Sequence, residues 1–236
     1  YDCLHKLGVS YVKIKKYGKA ITPLGRARAI NQKDTKIIDL LAQCYRNLNE
    51  TSSLETLLRD WMAIDPNRFD TKMELGRILL NEKNVTEAIT MFEDAVNFIP
   101  TNASPYLYLA KAYEMQGNDS IRLYHLNSAL KYSQPNWEIH YQLAKYYISK
   151  NDRKKAVEQL NKSLYLNPSH ASIHFEYGNI LLKQNNFKKA LEHFSSSLAS
   201  EPNNPYYLIK VAFTLAKTGM PKEALETCAI ALGKNE

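Results

Sequence analysis

The chain has 236 residues, 44% of them hydrophobic and 23% charged, and this balance is typical of a folded protein and excludes an intrinsically disordered one. No apolar run reaches the roughly 18 residues that a transmembrane helix needs, so no membrane-spanning segment is predicted. The formal net charge of +7 favours acidic partners, which include acidic peptides, nucleic acid and anionic lipid surfaces alike.

The three cysteines, Cys3, Cys44 and Cys228, lie far apart and form no CxxC pair. An odd number without close spacing favours reduced thiols over a disulfide framework or a zinc site. The compartment stays open on these grounds, with the cytoplasm favoured because thiols are kept reduced there.

A period of 34 residues runs through the whole sequence without an insertion. The units are residues 1–34, 35–68, 69–102, 103–136, 137–170, 171–204 and 205–236. Positions within a unit are called places here. Places 4, 7, 8 and 11 lie three or four residues apart and share one face of a first helix, and places 20, 24 and 27 share one face of a second. Each unit is therefore predicted to be a helical hairpin, and the hairpins to stack as a single array because one hairpin cannot bury its apolar face alone.

Three units depart from this pattern, in chain order. In the first, Pro23 stands where the second helix should run, which predicts a short or kinked helix with Thr22 as its N-cap. In the second, Leu54 and Trp61 replace small residues, so the helices should stand further apart or Trp61 should reach a neighbouring unit. In the fourth, Arg122 occupies a small-residue place and must extend to solvent, form an ion pair or shift the start of the helix.

The final helix of the seventh unit has no polar helix after it, although terminal repeats need a solvated outer face. We expect the natural protein to continue at one or both ends, or this surface to pair with another chain, self-association included. The apolar residues concerned are Ala224, Leu225, Ala229, Ile230 and Leu232.

The repeated residues closely resemble the tetratricopeptide repeat, whose pattern has Leu-Gly at places 7 and 8, Tyr at 11, Ala at 20 and 27, Phe at 24 and Pro at 32. In unit 69–102 the residues at these places are Leu75, Gly76, Leu79, Ala88, Phe92, Ala95 and Pro100, with Leu79 in place of the tyrosine. The resemblance covers all seven units and implies an all-α fold, a right-handed α-solenoid of seven helix-turn-helix hairpins. It further implies a protein-protein interaction scaffold that serves the assembly of a larger complex.

No arrangement of residues typical of an active site occurs, since HExxH, GxxxxGK[ST], GxSxG and GxGxxG are all absent. His170 and His174 are four residues apart and could face one metal ion, but His170 lies between units and His174 at a packing place. His140 lies at the matching packing place, which favours a structural role for both. We therefore expect no catalysis, no cofactor and no metal.

The resemblance also implies a concave groove lined by the first helices, with ligand contacts at places 2, 5, 9, 12 and 13. Place 5 is apolar and comprises Met73, Leu107, Tyr141, Phe175 and Ile209. Place 9 is basic toward the N-terminal side and comprises Arg77, Lys111, Lys145, Asn179 and Phe213. Because places 5 and 9 are one helical turn apart, they should form two adjacent rows that suit a peptide with apolar and acidic groups. The alternative is that the apolar row packs on adjacent helices and the basic row is merely solvated.

Two other functions stay open. Helical repeats can bind single-stranded nucleic acid, and the chain has sixteen tyrosines, but many of them occupy packing places and no run of five basic residues occurs, so nucleic acid is disfavoured. The chain could also be the scaffold portion of a longer enzyme.

Overall fold

The computed structural model of the protein describes residues 1–233, and residues 234–236, the end of the predicted unit 205–236, lie outside the described part. The described residues form α-helices joined by short turns and contain no β-strand. The predicted all-α fold class is confirmed, with the helices in tandem hairpins. They are α1 (Asp2–Lys13), α2 (Tyr17–Ile30), α3 (Thr35–Leu48), α4 (Thr51–Ile64), α5 (Phe69–Asn81), α6 (Val85–Phe98), α7 (Ala103–Met115), α8 (Asp119–Tyr132), α9 (Trp137–Ser149), α10 (Arg153–Leu166), α11 (Ala171–Lys183), α12 (Phe187–Ser200), α13 (Pro205–Lys217) and α14 (Pro221–Ala231).

Every hairpin turn has the same backbone geometry. The residue at place 15 has a positive φ, from 57° at Lys15 to 83° at Gly219. The next residue donates its N–H to the carbonyl at place 11, over 2.8 Å from Asn84 to Leu79 and 3.0 Å from Met220 to Leu215. A left-handed residue with this hydrogen bond ends an α-helix and reverses the chain. The repeated turn therefore brings each second helix back along its first helix.

Two compact units divide the chain, Tyr1–His125 and Leu126–Glu236, called here the N-terminal unit and the C-terminal unit. The sequence predicts a single array of seven repeats over residues 1–236, and this single array stays a prediction. Among the described residues, no helix combines the length and the apolar character needed to cross a membrane.

The second helix of the first hairpin differs from its predicted form. Instead of beginning at Thr22, α2 runs without interruption from Tyr17 to Ile30 and holds the buried Pro23 in its interior. A proline there removes one backbone hydrogen bond and costs about 3 kcal/mol. Ala20, Leu24 and Ala27, on the same helix, are completely buried. Their packing is the tertiary contribution that offsets this cost, and the local sequence does not report it.

Trp61 and Arg122 follow two of the outcomes that the sequence left open. Trp61 is buried, and the guanidinium carbon of Arg68, the residue that precedes α5, lies 3.8 Å from its ring centroid, so the indole reaches the start of the next hairpin. Arg122 is buried and paired, with its Nη2 atom 3.1 Å from Oε1 of Glu114 and its Nη1 atom 4.0 Å from Oδ1 of Asp119.

In the C-terminal unit, buried serines join the two helices of a hairpin. Ser163 of α10 donates its hydroxyl to the Trp137 carbonyl at 2.8 Å, and Ser197 of α12 donates to the Ala171 carbonyl at 2.9 Å. These bonds link the last turns of a second helix to the first turn of its first helix. Both hairpins are therefore antiparallel, with their turns at one edge of the unit and the loops between hairpins at the other.

Candidate partner-binding site

The first helices of the N-terminal unit present a cleft between α3 and α5. Its volume is about 490 Å³, and its lining residues are Arg46, Asp70, Met73, Glu74, Arg77, Ile78 and Asn81. The Arg46 guanidinium forms a double hydrogen bond with the Glu74 carboxylate, one contact of 2.9 Å between Nη2 and Oε2, and this bond raises the pKa of Arg46. The cleft is mainly polar and carries both signs of charge.

Beside the cleft, two predicted basic residues flank one aromatic ring. Arg77 of α5 lies 5.7 Å from the ring centroid of Tyr108, measured from its guanidinium carbon, and Lys111 of α7 lies 4.8 Å from it, measured from Nζ. The Tyr108 ring is stacked on the buried Phe92 ring, with centroids 5.2 Å apart and planes 17° apart. Cation–π contacts of this kind hold the charges near a fixed ring. Two cations of neighbouring first helices therefore share one aromatic ring.

The predicted apolar row contributes less surface in this unit. Met73 is 8% exposed and Leu107 is 6% exposed, so both side chains belong to the packing between helices. Apolar residues at helical spacing on a first helix can pack in the core or contact a ligand. The burial of Met73 and Leu107 favours packing in the core. Their role in binding stays a prediction.

In the C-terminal unit, lysines of the first helices surround the carboxylate of Glu176. Glu176 of α11 is half-buried, and burial raises the pKa of its carboxyl, while the charges of Lys145, Lys183 and Lys210 and a hydrogen bond from Asn179 oppose that shift. The sequence predicts Lys145 and Asn179 as site residues and does not predict Glu176 as one. The structure thus places one carboxylate among three lysines on α9, α11 and α13.

The exposed apolar side chains of this unit lie on α13. Ile209 is 57% exposed and Phe213 is 48% exposed, and they are one helical turn apart. Tyr206, at 73% exposure, extends the same face and was missing from the predicted residues, although it occupies place 2. Lys217 ends the stripe, with its Nζ atom 5.7 Å from the Phe213 ring centroid. These residues give the C-terminal unit an apolar stripe with a cation at its end.

Aromatic rings of α9 and α11 form the rest of the predicted row. Tyr141 and Phe175 are half-buried, and the Phe175 ring centroid lies 5.0 Å from that of Tyr207 on α13. Phe175 is also 5.7 Å from the fully buried Phe194. Phe175 therefore packs between the buried rings of Phe194 and Tyr207.

The histidines make separate packing contacts. The His170 ring lies 4.3 Å from the Trp137 ring, measured between centroids. Nε2 of His174 is 2.8 Å from the Pro168 carbonyl, and its Nδ1 atom is 3.0 Å from Nδ1 of His193. In residues 1–233, no group of three or more His, Cys, Asp or Glu side chains is placed to hold a metal ion.

Comparison with known proteins identifies the same repeat. Family models of the tetratricopeptide repeat match residues 69–102 and 141–205. The BBSome complex member BBS4 of Bos taurus is 30% identical to this chain over 138 residues, which are 58% of this chain and 26% of that protein. The chain thus matches about a quarter of that relative's length.

Solved structures extend the likeness to nearly the whole chain. The APC/C hetero-tetramer Cut9–Hcn1 superposes with a TM-score of 0.73 at 14% identity, covering 99% of this chain and 53% of that one. YrrB, a TPR protein with an unusual peptide-binding site, has a TM-score of 0.56 at 16% identity, covering 75% of this chain and 92% of that one. At these identities the likeness shows the fold alone. The family matches and the tandem helical hairpins together show that the chain belongs to the tetratricopeptide repeat family.

Proposed function

We propose that the chain is a non-catalytic scaffold that captures a peptide segment of a partner protein on the surface of its first helices, within a larger assembly. Its tetratricopeptide repeats and its likeness to a BBSome subunit support a protein-interaction role of this kind. The proposed contact residues are Met73, Arg77, Leu107, Lys111, Tyr141, Lys145, Phe175, Asn179, Ile209 and Phe213.

The observation that carries the proposal is the cluster of Arg77, Tyr108 and Lys111. The two cations are held 5.7 Å and 4.8 Å from one ring, so little side-chain entropy is lost when a carboxylate approaches them. Charged groups at such a surface steer an acidic partner and fix its register. Carboxylates of an acidic segment are therefore the groups that this part of the surface fits.

The C-terminal unit offers apolar contacts of its own. Ile209 and Phe213 present an apolar stripe that a helical or extended segment can cover with side chains spaced one turn apart. Aromatic residues are frequent among the side chains that dominate binding energy. We expect a ligand of this unit to combine an apolar anchor with a carboxylate directed toward Lys145 or Lys210.

The test is a selection of random peptides on the purified chain, followed by fluorescence anisotropy with the selected peptides. We expect enrichment of peptides that combine acidic and apolar residues. The double variant Arg77→Glu and Lys111→Glu replaces two attractions with two repulsions and should weaken acidic peptides by about tenfold or more.

A matched control keeps the same change of net charge. Lys19→Glu and Lys33→Glu alter two exposed lysines of the same unit outside the proposed surface. The control should bind within about twofold of the unaltered chain, because exposed charges at a distance are screened by salt. Equal losses in the two double variants, or selected peptides without acidic residues, would overturn the proposal.

A further inference from the structure

The hairpin turns of the C-terminal unit concentrate positive charge. Residues 150–155, 183–189 and 217–223, called here the turn edge, contain nine basic side chains and two acidic ones, Asp152 and Glu223. All nine are exposed: Lys150, Arg153, Lys154, Lys155, Lys183, Lys188, Lys189, Lys217 and Lys222. The turn edge therefore has a formal charge of +7, the difference of nine and two.

The fold places these three segments together. Because the hairpins are antiparallel and successive hairpins pack side by side, all three turns lie at one edge of the unit. The loops at the opposite edge, residues 132–137, 166–171 and 200–205, contain a single charged side chain, Glu201, if histidine is neutral. Place 18 is a lysine in all three hairpins, as Lys154, Lys188 and Lys222.

Backbone dipoles add to the positive potential of the turn edge. The helices α10, α12 and α14 all begin there, and each helix N-terminus carries about half a positive charge. Lys154, Lys188 and Lys222 are each the second residue of one of these helices. Like charge at this end of a helix is mildly destabilising. Glu158, Glu192 and Glu226 follow these lysines by one helical turn and offset part of that cost, and Lys154 and Lys155 both act on the Glu158 carboxylate.

The chemistry of the turn edge distinguishes among anionic partners. Eight of its nine basic residues are lysines, which are strongly hydrated, whereas arginine is the usual residue for paired contacts with phosphates and for buried ion pairs. Lysine is depleted in the cores of protein–protein interfaces. Phe187, the aromatic residue of the turn edge, is half-buried, so the stacking platform typical of single-strand binding is missing from the described turns.

We propose that the turn edge of the C-terminal unit binds the surface of a membrane that contains anionic lipids. Hydrated lysines along one edge can approach lipid headgroups without being desolvated, and each contributes about fivefold to the partition coefficient near such a surface. The turn edge meets the first-helix stripe at Lys217, and the variants that test it leave Lys217 unchanged. Membrane binding does not depend on the proposed peptide-binding function.

The experiment measures sedimentation of the whole chain with lipid vesicles of phosphatidylcholine, with and without about one quarter phosphatidylserine. We expect binding to the anionic vesicles that weakens as the salt concentration rises, because the contact is electrostatic. The triple variant Lys154→Gln, Lys188→Gln and Lys222→Gln should lose about 100-fold in partition coefficient, from fivefold for each of three lysines.

The matched control is Lys33→Gln, Lys131→Gln and Lys162→Gln, which removes the same charge from exposed lysines outside the turn edge. It should lose less than about fivefold. Equal losses in the two triple variants, or binding that does not depend on phosphatidylserine, would overturn the proposal. Absence of vesicle binding would also overturn it, and capture of a single-stranded oligonucleotide or an acidic polypeptide by the turn edge would then identify the other partner. Peptide binding measured by anisotropy should be the same in both triple variants, so failure here is distinct from failure of the peptide site.

Discussion

Gly178→Ala should destabilise the protein although it adds a better helix former. A β-carbon built on Gly178 would lie 2.6 Å from Cε1, 2.7 Å from Cδ1 and 3.0 Å from Cζ of Phe194. Since the Phe194 ring is completely buried, it cannot move away without displacing its neighbours. Overpacking costs about 1–3 kcal/mol, and the lower backbone entropy of alanine returns about 0.5–1 kcal/mol. The net loss should be about 1–2 kcal/mol.

The chain itself offers a compensating change and a control. Unit 137–170 has Ala144 and Leu160 at the places of Gly178 and Phe194. There the larger residue at place 8, alanine instead of glycine, is accompanied by the smaller residue at place 24, leucine instead of phenylalanine. The double variant Gly178→Ala and Phe194→Leu should therefore be more stable than the sum of the single changes predicts, by about 1 kcal/mol or more. Gly25→Ala lies in a helix with nothing within 4 Å of the added carbon.

The assay is urea unfolding monitored by circular dichroism, with the slope compared among variants so that a change of unfolding mechanism is detected. Gly25→Ala should raise the free energy of unfolding by about 0.5–1 kcal/mol. If Gly178→Ala raises it by the same amount, the close contact with Phe194 does not limit packing and the reasoning is refuted. Additive effects in the double variant would refute the size pairing of places 8 and 24.

Two further predictions concern buried polar groups. Burial lowers the pKa of His125 to about 4, and Nδ1 of this residue has no hydrogen-bond partner among the described residues. Because the unfolded chain binds this proton near pH 6.5, stability should fall as pH falls from about 6.5 to about 4, by up to about 3 kcal/mol. Methionine occurs at the same place in unit 69–102, as Met91. His125→Met should therefore make the free energy of unfolding, measured in urea, less dependent on pH. An unchanged dependence on pH would contradict this prediction. Glu114→Ala should cost about 2–4 kcal/mol, because it removes a partner of the buried Arg122 guanidinium. A loss well under 1 kcal/mol in the same assay would show that this pair is not required.

The 34-residue period was sufficient to predict the helical hairpins. Where a helix differs from its predicted form, packing within the fold explains the difference. Small residues such as Ala88 and Ala190 recur with the helical hairpin, so the pattern directly reports close approach of two helices. The path of α2 through Pro23 could not be predicted, because the local cost of a proline is visible in sequence and the burial of Leu24 that offsets it is not.

The candidate site was only partly predictable. Places 5 and 9 identify which side chains belong to the first helices, but not which of them are exposed, and Met73 and Ile209 occupy the same place with opposite burial. The lysines around Glu176 come from three helices that begin 34 residues apart in sequence. The structure shows that they lie near one carboxylate, and the sequence alone does not. Tyr206 could have been found from place 2.

The central claim, that a partner binds on the first helices, is tested most directly by photo-crosslinking. Benzoylphenylalanine is introduced in place of Phe213 on the first helix α13 or in place of Tyr165, which is 86% exposed on the second helix α10. Both positions lie in the C-terminal unit, and a selected acidic and apolar peptide is the ligand. We predict a crosslink from position 213 that excess unlabelled peptide suppresses, and none from position 165. A crosslink from position 165 with none from position 213 would contradict the account.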